Sequence, residues 1–424
     1  MDAAVYETKA GTRETSKRAG SRLALLSACL GWMFDAFDLQ LFTVILFPCI
    51  GSLIGSTNPA EIAFHSGIVS SVKLLAWGLG GIVFGVVADR IGRSRTMIVT
   101  VLIYSGFTGL SALAQTWWQL AVLQALAGVG IGGEWAAGAA LVAETAPEKS
   151  RPRFMQIMQL SFAGGFLLAA AMGLLVGPFG WRWVLAIGAL PALLTLFIRR
   201  YVPEPERWLE ARRQADGSAW TTFVGIFAPG LRRRVAVGVT ISAAMMIGSW
   251  GVTTLLPLWV HQLFPVQDLS QVRITSVMFI AMNIGAVGGY IALMWLSAAA
   301  GRRWSYFIMA LGAILSALVL FSQVTSLTSL FCLVALYGFF AIGGFGAFAA
   351  YLPELFPTRI RATGQGFCWN LARIFTAAGP FVAGSMVSAL GSLPKAAMAV
   401  TMAYALGALA IWFGPETRGR ALED

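Results

Sequence analysis

Five ionisable side chains lie inside long apolar runs of this sequence: Asp35, Asp38, Lys73, Glu134 and Arg373. Four arginines at the ends of such runs, Arg22, Arg95, Arg182 and Arg273, are set aside because they can snorkel to water. A charge at bilayer depth costs about 2.5–3.5 kcal/mol on insertion scales, so it persists where it pairs or lines a cavity. Asp35 and Asp38 are three positions apart and share one helix face, roughly 5–6 Å from each other. Two acids that close in a low dielectric cannot both ionise cheaply, so one is expected to carry a proton. Asp35 and Glu134 are the leading carriers, with Asp38 close behind. The plainer alternative is that both aspartates accept hydrogen bonds, or that one pairs permanently with Lys73. Arg373 follows Gln365 and Trp369 at helical spacing, with Asn370 one turn before it. That stripe offers a guanidinium fork, two amides and a flat aromatic wall, and a planar carboxylate fits such a fork bidentately. Lys73, with Trp77 one turn on, is a second candidate cation. Asn283, Tyr337 and the set Trp250, Thr254 and Pro257 are candidate lining residues, although such positions are more often packing. For Arg373 itself the plainer alternative is a structural ion pair.

The elements that must position these groups are transmembrane helices. Of 424 residues, 58% are hydrophobic and 12% charged, about half the charged fraction usual in soluble domains. One core of this size cannot absorb that apolar excess. Apolar runs of roughly 20 residues recur, long enough to cross a ~30 Å hydrocarbon layer as helices. They are continuous rather than alternating, which excludes a barrel. Twelve spans are expected, near 22–45, 63–88, 95–115, 118–143, 154–176, 182–198, 235–261, 271–297, 304–322, 329–351, 363–387 and 396–413.

The net charge of +11 reads as a topology signal. With the N-terminus in the cytoplasm, 25 of the 30 Lys and Arg residues fall on that side, eight of them in residues 199–234. The positive-inside rule demands this. No basic face with interleaved aromatics lies outside the spans, so a nucleic-acid partner is excluded. The first twenty residues are polar and read as a short cytoplasmic tail. The first apolar run is too long for a signal peptide and holds two aspartates. Cys29, Cys49, Cys332 and Cys368 lack metal-site spacing and read as inert thiols. No metal is expected. Nor does any nucleophile elbow, phosphate loop or nucleotide-binding domain point to an enzyme or an ATP-driven pump.

Residues 199–234 separate six spans from six, dividing the chain into bundles 1–198 and 235–424 around a cytoplasmic linker. The halves repeat each other. Gly132–Arg151 reads GGEWAAGAALVAETAPEKSR and Gly343–Arg361 reads GGFGAFAAYLPELFPTRIR. At an offset of 210, Glu144 matches Glu354, Pro147 matches Pro357 and Arg151 matches Arg361, while Gly92-Arg93 is echoed by Gly301-Arg302.

The run Gly85-Val86-Val87-Ala88-Asp89-Arg90-Ile91-Gly92-Arg93 resembles the loop signature between helices 2 and 3 of the major facilitator superfamily. The segments closing spans four and ten agree with it, as do Pro203–Leu209 and Pro415–Arg420. Phe34–Leu39 with Gly132–Trp135 is similar to proton-coupled carboxylate symporters of the lactate/sialate and aromatic-acid groups. The resemblance implies two pseudo-symmetric six-helix bundles with both termini cytoplasmic, working by alternating access. It implies that Asp89, Arg90 and Arg93, extended by Glu144 with Arg151 and Glu354 with Arg361, latch the cytoplasmic side. Its peripheral helices are the third, sixth, ninth and twelfth, and none of these carries a deep charge here. Two positions depart from the pattern. Gln124 stands where an arginine is common, so no proton role passes to it and it is kept as a candidate substrate contact. Ala298 stands where the second loop would hold an aspartate, so the two halves are expected to latch differently.

The expected function is symport of a small organic anion with protons, the proton being the coupling ion and no other cofactor being required. A neutral sugar or polyol porter is the first alternative, disfavoured by the embedded cations; a multidrug exporter is the second, and a sensor without transport would need a soluble extension. The expected setting is a lipid bilayer, the bacterial inner membrane, with the protein working as a monomer.

Overall fold

The computed structural model describes residues 2–176, 179–213, 218–264, 268–376, 386–387 and 389–423, and no strand occurs among them. Its helices are α1 (Asp2–Ile54), α2 (Pro59–Ile91), α3 (Arg93–Leu110), α4 (Trp117–Thr145), α5 (Arg151–Val176), α6 (Trp181–Ile187), α7 (Ala192–Tyr201), α8 (Glu206–Arg213) and α9 (Ala219–Gly225). After the central segment come α10 (Arg232–Leu263), α11 (Asp268–Ala299), α12 (Arg302–Gln323), α13 (Leu327–Ala341), α14 (Gly346–Glu354), α15 (Arg361–Thr376), α16 (Leu393–Thr401) and α17 (Ala403–Ala410).

Ten stretches of described helix are long and apolar enough to cross a membrane. The fifth expected span corresponds to the 26-residue α5, and the eleventh begins as α15. The far end of that eleventh span, residues 377–385, lies outside the described residues. Several boundaries differ from expectation for local reasons. Residues 2–20, expected as a short tail ahead of the first span, continue α1 as helix, since alanine, glutamate, lysine and arginine there are good helix formers. The sixth span is broken between α6 and α7 just before Pro191, which lacks an amide hydrogen. The tenth is interrupted by a tight turn at Gly343–Phe345 before α14.

Large apolar side chains face outward along these helices: Leu79, Leu167, Leu193, Ile284 and Leu406 are all more than half exposed. A soluble surface rarely tolerates so much contiguous apolar area, whereas hydrocarbon tails accept it without cost. Inside, the helices touch through small residues, because packing rather than hydrophobicity must hold them together in lipid. A Cβ on Gly132 of α4 would meet the Trp77 carbonyl of α2 at 2.1 Å and the Gly81 amide at 2.4 Å. On the far face of α2, a Cβ on Gly85 would come within 2.7 Å of the Ala362 carbonyl of α15. In α11, Gly285 and Gly289 lie equally close to the Ala335 and Phe339 carbonyls of α13.

The helices before residue 199 pack chiefly on one another, α2 on α4, α1 on α5 and α3 on α4. Those after residue 231 do likewise, α11 on α13 and α10 on α15 and α17. Two seams join the sets, α2 against α15 and α5 against α11.

Substituting Gly132→Val should cost at least about 1–3 kcal/mol, because the obstructing atoms are backbone and cannot rotate away. Gly106→Ala in α3, where a Cβ meets nothing within 4 Å, should be neutral or stabilising by up to about 1 kcal/mol. Thermal unfolding of the purified protein in detergent measures both, and equal effects would contradict the packing described.

Candidate functional site

The five embedded charges converge where α1, α2, α4 and α15 meet. Asp38 and Lys73 form an ion pair: Nζ donates to Oδ2 at 2.9 Å, both side chains are buried, the ammonium also lies 4.6 Å from the Phe42 ring centroid, and Asp38 Oδ1 is left without a partner among the described residues. In this state the Lys73 ammonium is thus held by a carboxylate of the protein itself. Asp35 differs. Both of its carboxylate oxygens are buried without a hydrogen-bond partner among the described residues. It interacts electrostatically with Glu134, Asp38, Arg373 and Lys73. Glu134 is similar, with Oε1 buried and unpartnered, and its carboxylate fills the space that a side chain on Gly31 of α1 would occupy.

Arg373 stacks its guanidinium on the Trp77 ring, 3.6 Å from the centroid, and lies 5.9 Å from that of Trp369. A cation over an indole face is worth about 2 kcal/mol when desolvated, but it satisfies none of the N–H donors. Nη1 has no hydrogen-bond partner, and no ion pair of Arg373 occurs among the described residues. Its α15 neighbours are held against the first half. Asn370 sits over Gly81, donates to the Gly366 carbonyl at 2.9 Å and leaves Oδ1 unpartnered. Gln365 donates to the Ala136 carbonyl of α4, and its Oε1 is likewise unpartnered. Trp369 stacks on Trp135 of α4.

Three other candidates are not brought to this cluster. Gln124 donates to Ser111 Oγ at 3.0 Å near the end of α3. Asn283 donates to the Phe279 carbonyl of its own helix at 2.8 Å. Tyr337 is drawn into a hydroxyl chain with Tyr404 at 3.2 Å, which continues to Ser249 at 2.8 Å. In each case a local partner captures the polar group.

At the opposite end of α2, Asp89 lies on the N-terminus of α15. Its Oδ2 accepts from the Thr363 amide at 2.7 Å and from Thr363 Oγ1 at 2.6 Å, and Oδ1 accepts from the Ala362 amide at 3.2 Å. The free amides and partial positive charge of a helix start suit a carboxylate there. Arg93 pairs with Asp89 at 3.0 Å and binds Glu144 through two nitrogens at 2.8 and 3.1 Å. Beside this cluster, the Arg90 backbone carbonyl accepts from the Arg212 guanidinium of α8.

The expected pairings within each segment, Glu144 with Arg151 and Glu354 with Arg361, are exchanged between the halves. Glu144 binds Arg361 at 2.8 Å, while Arg151 faces Glu354 at 3.9 Å. Arg302 takes Glu354 bidentately at 2.8 and 3.0 Å, as Arg93 takes Glu144. The physical reason is occupancy. Each glutamate already holds the arginine of its own loop, and its remaining lone pairs point across the seam. The two clusters are unequal: Ala298 stands where the first has Asp89, and Thr417 Oγ1 donates to Glu354 at 2.6 Å in the second.

Sequence reasoning missed two helix caps. Glu204 accepts from the amides of Arg93, Ser94 and Arg95 at 2.7, 3.2 and 3.0 Å. Glu416 accepts from those of Arg302 and Arg303 at 2.9 and 3.1 Å. Both sit against the turn glycines Gly92 and Gly301, whose φ of 115° and 89° suits only glycine well. The signal was present in the repeated Pro-Glu pairs at 203–204 and 415–416. Burial alone would raise the Glu416 pKa, but amide donors from Arg302, Arg303, Arg418 and Thr417 outweigh it and hold the carboxylate below its usual range.

A multi-pass helical protein with unpaired charges buried between two helix sets, and an ionic clasp at one end of the seam, has the build of a membrane carrier rather than an enzyme. The family model of the Major Facilitator Superfamily matches residues 28–380, and the chain belongs to that superfamily. It is 31% identical, over 93% of its length and 90% of the relative's, to a protein of Cupriavidus pinatubonensis named as a probable 4-methylmuconolactone transporter. It is 28% identical to the sialic acid transporter NanX of Escherichia coli, covering 90% and 91% of the two chains. The cis,cis-muconate transport protein of Acinetobacter baylyi is 27% identical, with the same coverage. Among solved structures, the proton:xylose symporter XylE superposes with a TM-score of 0.79 at 19% identity, over 96% of this chain and 98% of that one, which shows the shared fold. The protein is a multi-pass inner-membrane transporter.

Glu144→Gln leaves two buried guanidinium groups short of a charge, so thermal stability should fall by about 3–5 kcal/mol. Arg151→Gln, whose partner keeps Arg302, should cost about 1 kcal/mol. A reversed order in thermal unfolding would refute the exchanged pairing. A depressed folded-state pKa gives stability that is present above the ordinary value and lost as pH falls through the depressed one. The stability difference between wild type and Glu416→Gln should therefore be constant near neutrality and shrink below about pH 4.3.

Proposed function

We propose that the chain is a secondary transporter that moves a small organic anion together with protons by alternating access. Twelve transmembrane helices form two six-helix bundles, residues 1–198 and 235–424, joined by the cytoplasmic linker 199–234, with both termini in the cytoplasm. The observation that carries this reading is the contrast among the buried charges. Asp38 and Lys73 are paired at 2.9 Å, whereas Arg373 holds an unpartnered donor and Asp35 and Glu134 hold unpartnered acceptors. An arginine kept charged and incompletely bonded between the bundles is suited to grip a carboxylate. Acids kept without a fixed cation are suited to take up and release protons. Arg373, Asn370, Gln365, Trp369 and Trp77 bind substrate, and Asp35 and Glu134 carry the proton beside the closed Asp38–Lys73 pair. Relatives named for sialic acid and cis,cis-muconate support an organic-acid substrate. Asp89, Arg90, Arg93, Glu144 and Arg361, with Arg151 and Glu354, form the latch that closes the cytoplasmic side.

In proteoliposomes, an imposed outside-acid gradient should stimulate uptake of organic acids and leave hexoses unmoved; the reverse pattern would sink the proposal. Arg373→Ala should weaken carboxylate binding at least about tenfold, the loss of one charge-assisted contact. Asp35→Asn should abolish gradient-driven accumulation while exchange of internal for external substrate persists. Unchanged accumulation in Asp35→Asn would remove it as a proton carrier.

A further inference from the structure

At the level of the embedded charges, α4 and α15 touch through two indoles. Trp135 and Trp369 lie with ring centroids 4.5 Å apart and planes inclined by only 16°. The surrounding rings meet this pair differently: Trp32 is tilted 56° to Trp135, and Phe345 and Phe348 stand at 82° and 59° to Trp369. The stack is therefore the flat element of an aromatic box whose walls come from both halves. Its two members are buried, yet their polar atoms are treated unequally. Trp135 Nε1 donates to Gln159 Oε1 at 3.1 Å, whereas Trp369 Nε1 and the nearby Trp32 Nε1 have no acceptor among the described residues. A buried indole N–H normally finds a partner, so two orphans in one box call for a reason. Trp135 follows Glu134 in the chain, and Arg373 lies one turn beyond Trp369.

We propose that this stack is a closed clamp for the flat part of the substrate, a proposal that rests on the carboxylate reading above. The two rings belong to different halves, so any motion that opens the α4–α15 contact separates them. At roughly 7 Å, twice an ordinary contact distance, they admit one planar conjugated group and cover both of its faces. Its carboxylate then reaches the Arg373 fork, and oxygen atoms on the ligand supply the acceptors that the orphaned indole N–H groups lack. A puckered or saturated carbon skeleton of equal size and charge is too thick to be covered on both faces. The clamp thus selects for planarity, while Arg373 selects for charge. Closed on itself, each indole stands in for the substrate against the other, which keeps the box dry when nothing flat is bound.

The test compares matched acids in wild-type proteoliposomes: benzoate against cyclohexanecarboxylate, and cis,cis-muconate against adipate. In at least one pair the planar acid should be bound about tenfold more tightly, the size expected from two ring contacts. Trp369→Leu should reduce that preference to about twofold or less, and Trp369→Phe should keep an intermediate preference. If the leucine variant does not fold, the wild-type comparison and the phenylalanine variant still decide. Equal affinity for planar and saturated acids in wild type, or an undiminished preference in Trp369→Leu, would overturn the clamp while leaving proton-coupled carboxylate transport standing. Binding of sialic acid but of none of the four acids would overturn the clamp and leave carboxylate transport standing, and failure to bind any of these five acids would overturn both.

Discussion

The cost of holding charge away from water governs this molecule. In hydrocarbon an unpaired ion has no solvent to fall back on, so a buried arginine or carboxylate must be bonded internally or serve a purpose that outweighs its penalty. The clasp at the end of α2 obeys the first option closely. Arg93 is fully buried, and its guanidinium meets Asp89, Glu144 and the carbonyls of Ala88 and Thr358. Arg361 meets Glu144, Thr358 Oγ1 and the carbonyls of Pro353 and Glu423. Midway through the membrane the same chain leaves Asp35, Glu134 and Arg373 incompletely bonded. The contrast separates a fully bonded cluster from one whose polar atoms are left partly unsatisfied.

One helix links the two. Thr363, where Asp89 docks, and Arg373 are ten residues apart on α15, about 15 Å along a single rod. The same helix presents Gln365, Trp369 and Asn370 to the first half on its way. Because it packs through glycines on α2, little compliant side chain lies between the rod and its track. Thr363 and Arg373 are therefore carried by one continuous helix, and a shift of that helix along α2 moves both.

Much of the fold was legible because its cause is written locally. Apolar runs, basic loops and the repeated Gly-Arg and Glu-to-Arg segments all have meaning at short sequence range. The embedded charges were legible for the same reason, each being conspicuous in an apolar stretch. Partner choice was less so. Whether Lys73 meets Asp38 or a ligand depends on the approach of α1 to α2, which no periodicity encodes. Gln124, Asn283 and Tyr337 looked like lining residues, yet Ser111, the Phe279 carbonyl and Tyr404 hold them. A polar group in a span advertises a need for partners without saying where they are.

The exchanged clasp shows what internal symmetry adds to such a reading. The sequence repeat places Glu144 with Glu354 and Arg151 with Arg361, and the nearest pairing is within each segment. A two-fold relation between halves offers a second solution, in which each arginine reaches the other half's glutamate, and the structure takes it. Geometry favours that solution because the loop arginines, Arg93 and Arg302, already occupy the glutamates from their own side. The two clusters are not identical. The first loop has Asp89 where the second has Ala298, and the cross-seam distances are 2.8 Å between Glu144 and Arg361 against 3.9 Å between Glu354 and Arg151, whose arginine also faces Glu148. The tighter cluster sits at the end of α15, the helix that carries Arg373, while the looser one sits at the end of α5. The shorter of the two cross-seam ion pairs is thus on the helix that also carries Arg373.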